Sequence, residues 1–130
     1  MSGEALTIIS DAMELLKLNY AFMEYCVEDG EKPSYPYFVG EYQEVEPLDE
    51  DGLQETSFII TGFSRDSWLG LENAKDKIKK HFNMVSGKMA TTDNDSSVAI
   101  FYSNSFPIQT EDAELKKIQI NLIVKEWSVS

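Results

Sequence analysis

The residues of this chain that could do chemistry are few, and the most suggestive of them surround Ser64. The run G-F-S-R-D at residues 62–66 lies between a β-type pattern and a helical pattern, as the nucleophile of a serine hydrolase does. It lacks the second glycine that the sharp nucleophile turn requires, and His81 is the one histidine that could act as a base. The pattern therefore predicts that Ser64, Asp66 or Ser67 caps the amides at the start of the following helix.

Cys26 and His81 could form a thiol and base pair, but each falls on the apolar side of its own predicted helix, where packing residues are typical. One cysteine and one histidine cannot build a structural zinc site, and no H-E-x-x-H or C-x-x-C spacing is present. The oxygen-rich turns at residues 49–52 and 93–95 do not match the ligand positions of an EF-hand loop. The glycines do not form a phosphate-binding loop either. We therefore predict no enzyme activity, no metal site and no cofactor.

The charge of the chain is strongly acidic. It holds 23 Asp and Glu residues against 11 Lys and Arg residues, which gives a formal net charge of −12. Such a balance repels a phosphate backbone and argues against sequence-specific binding of nucleic acid. Acid and base are also segregated, because residues 41–55 hold seven carboxylates and no cation, whereas five of the eleven cations lie in residues 75–88.

The length and the 42% hydrophobic content of the chain, residues 1–130, are typical of one globular domain. No apolar run approaches the roughly 18 residues that span a bilayer, so we expect no membrane segment. The N-terminus lacks the basic region and the small-residue cleavage site of a signal peptide, so we do not expect export by that route. A lone cysteine cannot form an internal disulfide, which is compatible with a reducing cytoplasm.

Apolar periodicity predicts two helices and four strands. Residues 4–27 and 67–82 place apolar side chains at alternating spacings of three and four, which is the pattern of a helix face. The strand patterns are rich in aromatic and β-branched residues or alternate apolar with polar residues. They cover residues 37–45, 55–63, 98–106 and 117–127. We expect flexible loops near residues 46–54 and 86–97. The expected fold class is α+β in the order α-β-β-α-β-β, with an antiparallel or mixed four-stranded sheet and two helices packed on one face.

The stretch from residue 35 to residue 82 carries a family resemblance. It runs through Y-P-Y-F-V-G-E-Y, an acidic turn, F-I-I-T-G-F-S-R and the helical W-L-G-L-E-N-A-K. With the helix before it and the strands after it, this order resembles the tail-terminator or tail-completion proteins of long-tailed bacteriophages. The resemblance spans nearly the whole chain and rests on element order and local sequence.

The resemblance implies a structural virion protein. Proteins of this family form a ring, commonly of six subunits, that caps the tail tube and joins it to the head. The implied partners are further copies of the chain, the tail-tube protein and the head-completion protein. The implied location is the virion tail, assembled in the cytoplasm of the bacterial host. A further hypothesis is an acidic ring lumen, which would keep passing DNA from adhering.

The segregated charges indicate where neighbouring subunits would meet in such a ring. We expect an acidic loop to face a basic helix of the next subunit, because head-to-tail contacts between unlike surfaces can close into a ring. The expected contact residues are Glu44, Glu46, Asp49, Glu50 and Asp51 on the loop side and Lys75, Lys79 and Lys80 on the helix. The alternative function is a small acidic cytosolic binding or inhibitor protein, a monomer that presents the carboxylate-rich loop to a basic protein partner.

Overall fold

A computed structural model describes residues 3–23, 35–44, 53–83, 88–91 and 97–127. Within these ranges, two helices and six strands follow one another along the chain. They are α1 (Gly3–Leu15), β1 (Asn19–Phe22), β2 (Tyr37–Glu44), β3 (Leu53–Ser64), α2 (Trp68–His81), β4 (Lys88–Thr91), β5 (Ser97–Ile108) and β6 (Lys116–Trp127). The order of elements in the described chain is therefore α-β-β-β-α-β-β-β.

All six strands belong to one mixed sheet. Five of them lie side by side in the order β1-β2-β3-β6-β5, and the four-residue β4 adds a sixth strand at the β5 edge. β1 runs parallel to β2, and the other neighbouring pairs are antiparallel. The β2–β3 and β5–β6 pairs are local along the chain. The long-range pairing of β3 with β6 joins these two halves into one sheet.

The predicted four-stranded sheet in the order α-β-β-α-β-β is wrong, because β1 and β4 add two strands to it. β4 lies inside residues 86–97, which the sequence assigns to a flexible loop. Its sequence K-M-A-T shows no strand period, and it forms by backbone pairing with the first residues of β5. Residues 86–87 and 92–96 of that loop, and residues 46–52 of the other predicted loop, lie outside the described ranges. Residues 53–54 and 97 belong to β3 and β5, so the predicted loops are also too long at these ends.

The predicted first helix, residues 4–27, is too long. α1 ends at Leu15, and the chain turns directly into β1. The residues after the turn satisfy a strand period as well as a helical one, because alternate apolar side chains are half-buried against the core: Leu18, Tyr20 and Phe22. Parallel pairing with β2 decides between the two periods in favour of a strand.

The helix end itself has a defined hydrogen-bonded geometry. Lys17 adopts a left-handed backbone conformation with a φ of 59°. Its amide donates to the Glu14 carbonyl at 2.9 Å, and the Leu18 amide donates to the Met13 carbonyl at 3.0 Å. This pair of bonds is the Schellman arrangement, which satisfies carbonyls that the helix leaves without partners. Glycine is the usual residue at the left-handed position, so Lys17 pays a steric cost there.

We expect Lys17→Gly to raise the free energy of unfolding by about 1 kcal/mol, because glycine adopts a left-handed conformation without a Cβ clash. The side chain of Lys17 is exposed, so its removal should cost little packing. Urea denaturation followed by circular dichroism measures the change. Lys77→Gly on the exposed side of α2 is the matched control and should lower stability by about 1 kcal/mol. A Lys17→Gly variant that is no more stable than the wild type would contradict the left-handed conformation assigned to Lys17.

Both helices pack on one face of the sheet, because the buried residues of α1, α2 and the strands form one apolar cluster. The strand members of that cluster share a face, as the register of Phe58, Leu122 and Tyr102 in adjacent strands illustrates. α1 contacts β1, whereas α2 contacts β3, β6 and β5. α1 therefore lies over the β1 edge of the sheet, and α2 lies over the three strands β3, β6 and β5.

Candidate interaction surfaces

Ser64 is a buried turn residue at the end of β3. Its side chain is 1% exposed, and its Oγ accepts a hydrogen bond from the Asp66 amide at 3.1 Å. Ser67 occupies the N-cap position of α2 in an extended conformation but makes no side-chain capping hydrogen bond. The Asp66 amide precedes α2, so Ser64 shapes the turn before the helix and does not cap it. The predicted capping of α2 by Ser67 is also wrong.

The other candidate catalytic and metal-binding residues are placed apart or lie outside the described chain. The His81 ring packs edge-on against Phe82 with centroids 4.7 Å apart, and Cys26 is outside the described ranges. Among the described residues, no group of three His, Cys, Asp or Glu side chains is placed to hold a metal ion. The acidic turns at residues 49–52 and 93–95 fall outside those residues. The exposed charges and apolar side chains thus become the candidates for function.

The acidic side of the predicted subunit interface is described only at its start. Glu44 is exposed at the end of β2. The other predicted loop residues lie outside the described ranges, and they are Glu46, Asp49, Glu50 and Asp51. Contact of this loop with a neighbouring subunit therefore stays a prediction.

Lys75 is held by carboxylates of its own helix. Its Nζ lies 3.1 Å from Glu72 Oε2 and 3.0 Å from Asp76 Oδ1. The hydrogen bonds to Asp76 and then Glu72 raise the pKa of Lys75, and the bond from Lys75 lowers the pKa of Asp76. Much of the charge of Lys75 is therefore compensated inside α2, which makes this lysine a weak candidate for a contact with another molecule.

Lys79 and Lys80 follow in the last turn of α2. Lys79 Nζ lies over the Tyr102 ring, 5.4 Å from its centroid, which is the geometry of a cation–π contact. That contact also shows that this side of α2 faces β5. Lys80 is exposed, and no ion pair joins it to a carboxylate in the part of the chain that the structure describes. Of the three predicted lysines, Lys80 is the one best placed to meet an external carboxylate.

The exposed charges of the two helices are opposite in sign. α1 exposes three carboxylates and contains no cation, and we call Glu4, Asp11 and Glu14 the acidic face of α1. α2 ends in Lys79, Lys80 and His81, the basic turn of α2. Because α1 contacts β1 and the end of α2 lies near Tyr102 of β5, the acidic face and the basic turn are located over different strands of the sheet.

The acidic residues near the end of α1 are not explained by the stability of the helix. A helix C-terminus carries a partial negative charge, which favours cations and disfavours carboxylates. Glu14 lies in the last turn of α1, where no basic residue occurs, and Asp11 lies just before that turn. The last turn of α2 is basic, as the same rule favours. Glu4 lies in the first turn, where the dipole favours a carboxylate, so only the acidic residues near the end of α1 have no explanation in the helix itself.

Exposed apolar side chains lie at the end of the sheet where β3 and β5 finish and β2 and β6 begin, which we call the lower end. Leu15 is 71% exposed where α1 finishes, and Leu69 is 66% exposed near the start of α2. Trp68 is 41% exposed and borders a groove of about 360 Å³ that Ile108 and Lys116 also line. Large exposed apolar groups on neighbouring elements are typical of contact surfaces.

An ion pair ties the loops of the lower end together. Arg65 Nη1 donates to Asp112 Oδ2 at 2.8 Å, and Arg65 Nε donates to the Tyr35 hydroxyl at 3.3 Å. Asp112 Oδ1 also accepts the Glu114 amide at 3.0 Å. These bonds, that of Arg65 foremost, lower the pKa of Asp112 below its ordinary value of 3.8. The corner between β3 and α2 is thereby joined to the loop between β5 and β6.

We expect Asp112→Asn to destabilise the protein at neutral pH and to have no such effect in acid. Because the folded state lowers the pKa of Asp112, its carboxylate contributes stability above the unfolded pKa. That contribution is lost as the pH falls from near 3.8 through the lower folded pKa. The side chains of Arg65 and Asp112 are 43% and 46% exposed, so the effect should be small and should shrink with added salt.

Thermal unfolding of the wild type and Asp112→Asn between about pH 7 and about pH 2 measures this dependence. Glu111→Gln is the matched control, because Glu111 is the exposed carboxylate next in the chain. A stability gap that persists at the acid limit, or that Glu111→Gln reproduces, would contradict the role of Asp112.

The face of the sheet opposite the helices is held by its own side-chain contacts. Tyr37 stacks on Phe63 with ring centroids 4.9 Å apart. Beside them, the Gln119 amide donates to Asn121 at 3.0 Å, and Asn121 donates to Asn104 at 2.8 Å. The Tyr37–Phe63 and Asn121–Asn104 contacts cross between strands, the Gln119–Asn121 bond lies within β6, and together they stabilise a sheet face that can lie in water. The helix faces and the lower end are therefore the stronger candidates for binding another protein.

Comparison with known proteins assigns no family to the chain. α1 and α2 have 13 and 14 residues, and no helix in the described ranges is long and apolar enough to cross a membrane. No family model matches the chain, and no curated protein is significantly similar to it.

Proposed function

We propose that this protein is a structural subunit of the tail of a long-tailed bacteriophage, which assembles into a ring that closes the tail tube and joins it to the head. The sequence of residues 35–82 supports this by its resemblance to tail-terminator or tail-completion proteins. The observation that carries the proposal is the unlike charge of the exposed sides of α1 and α2, which contact different strands of one sheet. The proposal assigns the protein no reaction and no cofactor.

Unlike charges on two different helices favour head-to-tail contacts. The acidic face of α1 in one copy would attract the basic turn of α2 in the next copy, and each copy would repeat the same contact. A two-fold contact through α1 would instead place carboxylates against carboxylates, which is unfavourable. Head-to-tail contacts close into a ring when the rotation between neighbours divides a full turn.

The remaining surfaces of such a ring would meet the rest of the virion. The lower end presents exposed Leu15, Trp68 and Leu69 to one axial neighbour, which we propose to be the tail-tube protein or the head-completion protein. The net charge of −12 would repel the phosphates of DNA that passes through the lumen. The proposed location is the virion tail, after assembly in the cytoplasm of the bacterial host.

Light scattering behind size exclusion, at low and high protein concentration, tests the proposal when any large peak is imaged by negative-stain electron microscopy. We expect rings of about six subunits. We also expect them to dissociate as salt rises, because exposed charges are screened beyond about 10 Å at 0.1 M ionic strength. The protein should in addition co-sediment with purified tail tubes.

A chain that stays monomeric at every concentration and does not bind tail tubes would overturn the proposal. A strict monomer that instead binds one basic protein would favour the alternative of a small acidic binding or inhibitor protein. Charge mapping on an assembled ring tests the lumen separately, because a neutral or basic lumen would contradict the proposed repulsion of DNA.

A further inference from the structure

We infer that neighbouring copies of the chain join edge to edge, with β1 of one copy paired antiparallel to the second half of β5 in the next copy. The inference rests on the proposed function and deepens it, because it identifies the contact that builds the ring. The part of β5 concerned is residues 105–108, which we call the open segment of β5. In this contact Asn19 stands opposite Ile108, and Phe22 stands opposite Ser105.

β1 and the open segment lie at opposite edges of one sheet. β1 is the first strand in the sheet order, and β2 is its one neighbour among the described strands. At the other edge, β4 pairs with residues 97–100 of β5, and the Phe82 carbonyl accepts the Tyr102 amide at 2.6 Å. No strand in the described ranges pairs with the outer side of the open segment. Strand edges of this kind accept a further strand.

Both segments lie at the same level of the sheet, because the strand pairs connect them row by row. The row at the lower end consists of Asn19, Tyr37, Phe63, Lys117 and Ile108. The row three residues further up consists of Phe22, Gly40, Ile60, Ile120 and Ser105. Two copies side by side at one height therefore bring all four residues of β1 against the four residues of the open segment.

The strand directions give an antiparallel contact. β1 runs parallel to β2, and each later pair in the series β2–β3, β3–β6 and β6–β5 is antiparallel. β1 and β5 of one copy therefore run in opposite directions. Since the copies of a ring share one orientation relative to its axis, β1 of one copy is also antiparallel to β5 of its neighbour.

The backbone of β1 directs hydrogen-bonding groups to the outer side of the sheet. The amides and carbonyls of successive strand residues point alternately to the two sides of a strand. The Met23 amide donates to the Gly40 carbonyl of β2 at 2.8 Å, so the residue before it, Phe22, directs its amide and carbonyl away from β2. Phe22 is therefore oriented to bond a strand that is added at this edge.

The backbone of the open segment is oriented in the matching way. The Tyr102 amide points away from β6, because it donates to the carbonyl that follows α2. Ser105 stands opposite Ile120, which is two residues from the β6 partner of Tyr102 and has the same orientation. Ser105 therefore also directs its amide and carbonyl outward. Pro107, two residues later, lacks an amide at a position that faces outward, which is where sheets accept proline.

The contact thus has a defined set of hydrogen bonds. Phe22 and Ser105 exchange two, because the amide of each donates to the carbonyl of the other. Tyr20 stands opposite Pro107, where β5 offers a carbonyl alone. So short a contact is weak by itself, but closure of a ring makes the last contact intramolecular and raises its effective concentration. Assembly should therefore depend steeply on protein concentration.

The side chains of the two segments also match in face. Phe22 packs against the core, and Ser105 shares a hydrogen bond of 2.7 Å with the core residue Tyr102, so both lie on the helix face. Ala21 and Phe106 precede and follow them in the chain, so these two share the opposite face. Phe106 is 42% exposed, and the small side chain of Ala21 leaves room for its ring. The contact therefore buries apolar area as well.

A second copy also suits the placement of the helices. α1 lies over the β1 edge, and α2 lies over β3, β6 and β5 on the same face of the sheet. Pairing of β1 with β5 places α1 of one copy beside α2 of the next copy, which fits the attraction between their unlike charges. A two-fold pairing of β1 with β1 would instead place the carboxylates of two α1 helices side by side, which is unfavourable.

A disulfide between copies tests the register. Ala21 and Phe106 would form a pair that shares no hydrogen bond, with Cα atoms about 4.5 Å apart, a distance that a disulfide can bridge. With Cys26→Ser in every protein, mild oxidation of the double variant Ala21→Cys/Phe106→Cys should give a ladder of up to about six joined copies. A mixture of the two single variants should give dimers and nothing longer. Non-reducing electrophoresis measures the products.

The double variant Ala21→Cys/Ser105→Cys is the matched control. Its two new thiols would lie on opposite faces of the joined sheet, so it should form little cross-linked product. Dimers from Ala21→Cys alone would indicate two-fold pairing of β1 edges and would overturn the inference. A double variant Ala21→Cys/Phe106→Cys that forms rings without the cross-link would also overturn it.

Ser105→Pro tests the hydrogen bonds without a new thiol. Proline removes the outward amide that would donate to Phe22, so the protein concentration for half assembly should rise by about tenfold. Ser105→Ala loses the same hydroxyl bond to Tyr102 but keeps the amide, so the difference between the two variants reports the amide alone. Light scattering measures assembly, and circular dichroism establishes that each variant is folded.

Failure of the contact and failure of the proposed function give different results. Wild-type rings, together with a Ser105→Pro variant that assembles as readily as Ser105→Ala, would overturn the edge pairing and leave the proposed function standing. A wild type that neither forms rings nor binds tail tubes would overturn the proposed function and, with it, the edge pairing.

Discussion

Phe58→Ala is expected to lower the free energy of unfolding by about 4 kcal/mol, because truncation of a buried phenylalanine removes its apolar contacts and leaves a cavity. Phe58 is fully buried in β3. Its ring lies 6.3 Å from that of Phe22 in β1, measured between centroids, and it covers the backbone of Gly40 in β2. A domain of this size has only about 5–15 kcal/mol of stability, so the variant should be close to unfolding. Urea denaturation measures the loss.

Phe106→Ala is the matched control, since Phe106 lies in β5 with 42% of its side chain exposed. The same truncation there should cost less than about 1 kcal/mol. Phe58→Leu should lose about 1 kcal/mol and remain folded, which keeps the test readable if Phe58→Ala does not fold. Similar losses for Phe58→Ala and Phe106→Ala would contradict the assigned core.

Gly62→Ala is expected to lower the free energy of unfolding by about 2 kcal/mol, because it overpacks a closely filled site. A Cβ at Gly62 would lie 2.6 Å from Phe38 Cε1 and 3.0 Å from Ile118 Cγ2. Both neighbours are buried, so neither can move away without displacing other core residues. This clash outweighs the gain that alanine normally brings to a strand interior.

Gly70→Ala is the control for the Gly62 variant. A Cβ at Gly70 would meet nothing within 4 Å, and Gly70 lies in α2. Alanine favours a helix over glycine by about 1 kcal/mol, so this variant should be more stable than the wild type. The two glycine substitutions thus have opposite expected signs in the same denaturation assay. A Gly62→Ala protein as stable as the wild type would show that the strand packs less closely around Phe38 than described.

Local sequence predicts the elements in which the spacing of apolar residues matches the burial of side chains in the fold. In β6 the buried residues Ile118, Ile120, Leu122 and Val124 alternate with less buried ones, which is the period of a strand with one covered face. α2 likewise buries Leu71, Ala74 and Ile78 at helical spacing. Both elements appear within a residue or two of their predicted bounds.

β1 and β4 could not be predicted in this way. The apolar residues of β1 fit a helical period that continues from α1, and the choice of a strand depends on pairing with β2, many residues away. β4 has no apolar period at all and exists because the edge of β5 offers backbone partners. Both strands thus depend on contacts with segments that lie elsewhere in the chain.

The candidate surfaces were only partly visible in the sequence. The cations of α2 stand out as a cluster, but the sequence does not tell that Lys75 is compensated by Glu72 and Asp76 or that Lys79 covers Tyr102. In the sequence, the carboxylates of α1 are sparser than those of the acidic loop, and the predicted contact residues do not include them. A carboxylate in the last turn of a helix is unfavourable for that helix and can indicate an external role. The sequence does not show that α1 ends at Leu15, so it does not show that Glu14 occupies a last turn.

The sequence by itself determined the acidic charge, the single-domain size, the second helix and the local β2–β3 and β5–β6 pairs, because composition and short-range periodicity are properties of neighbouring residues. Only the tertiary structure decided the six-stranded order, the early end of α1 and the placement of the two helices over different strands of the sheet. Those features depend on which distant segments pair, and that choice follows from the burial of a shared core.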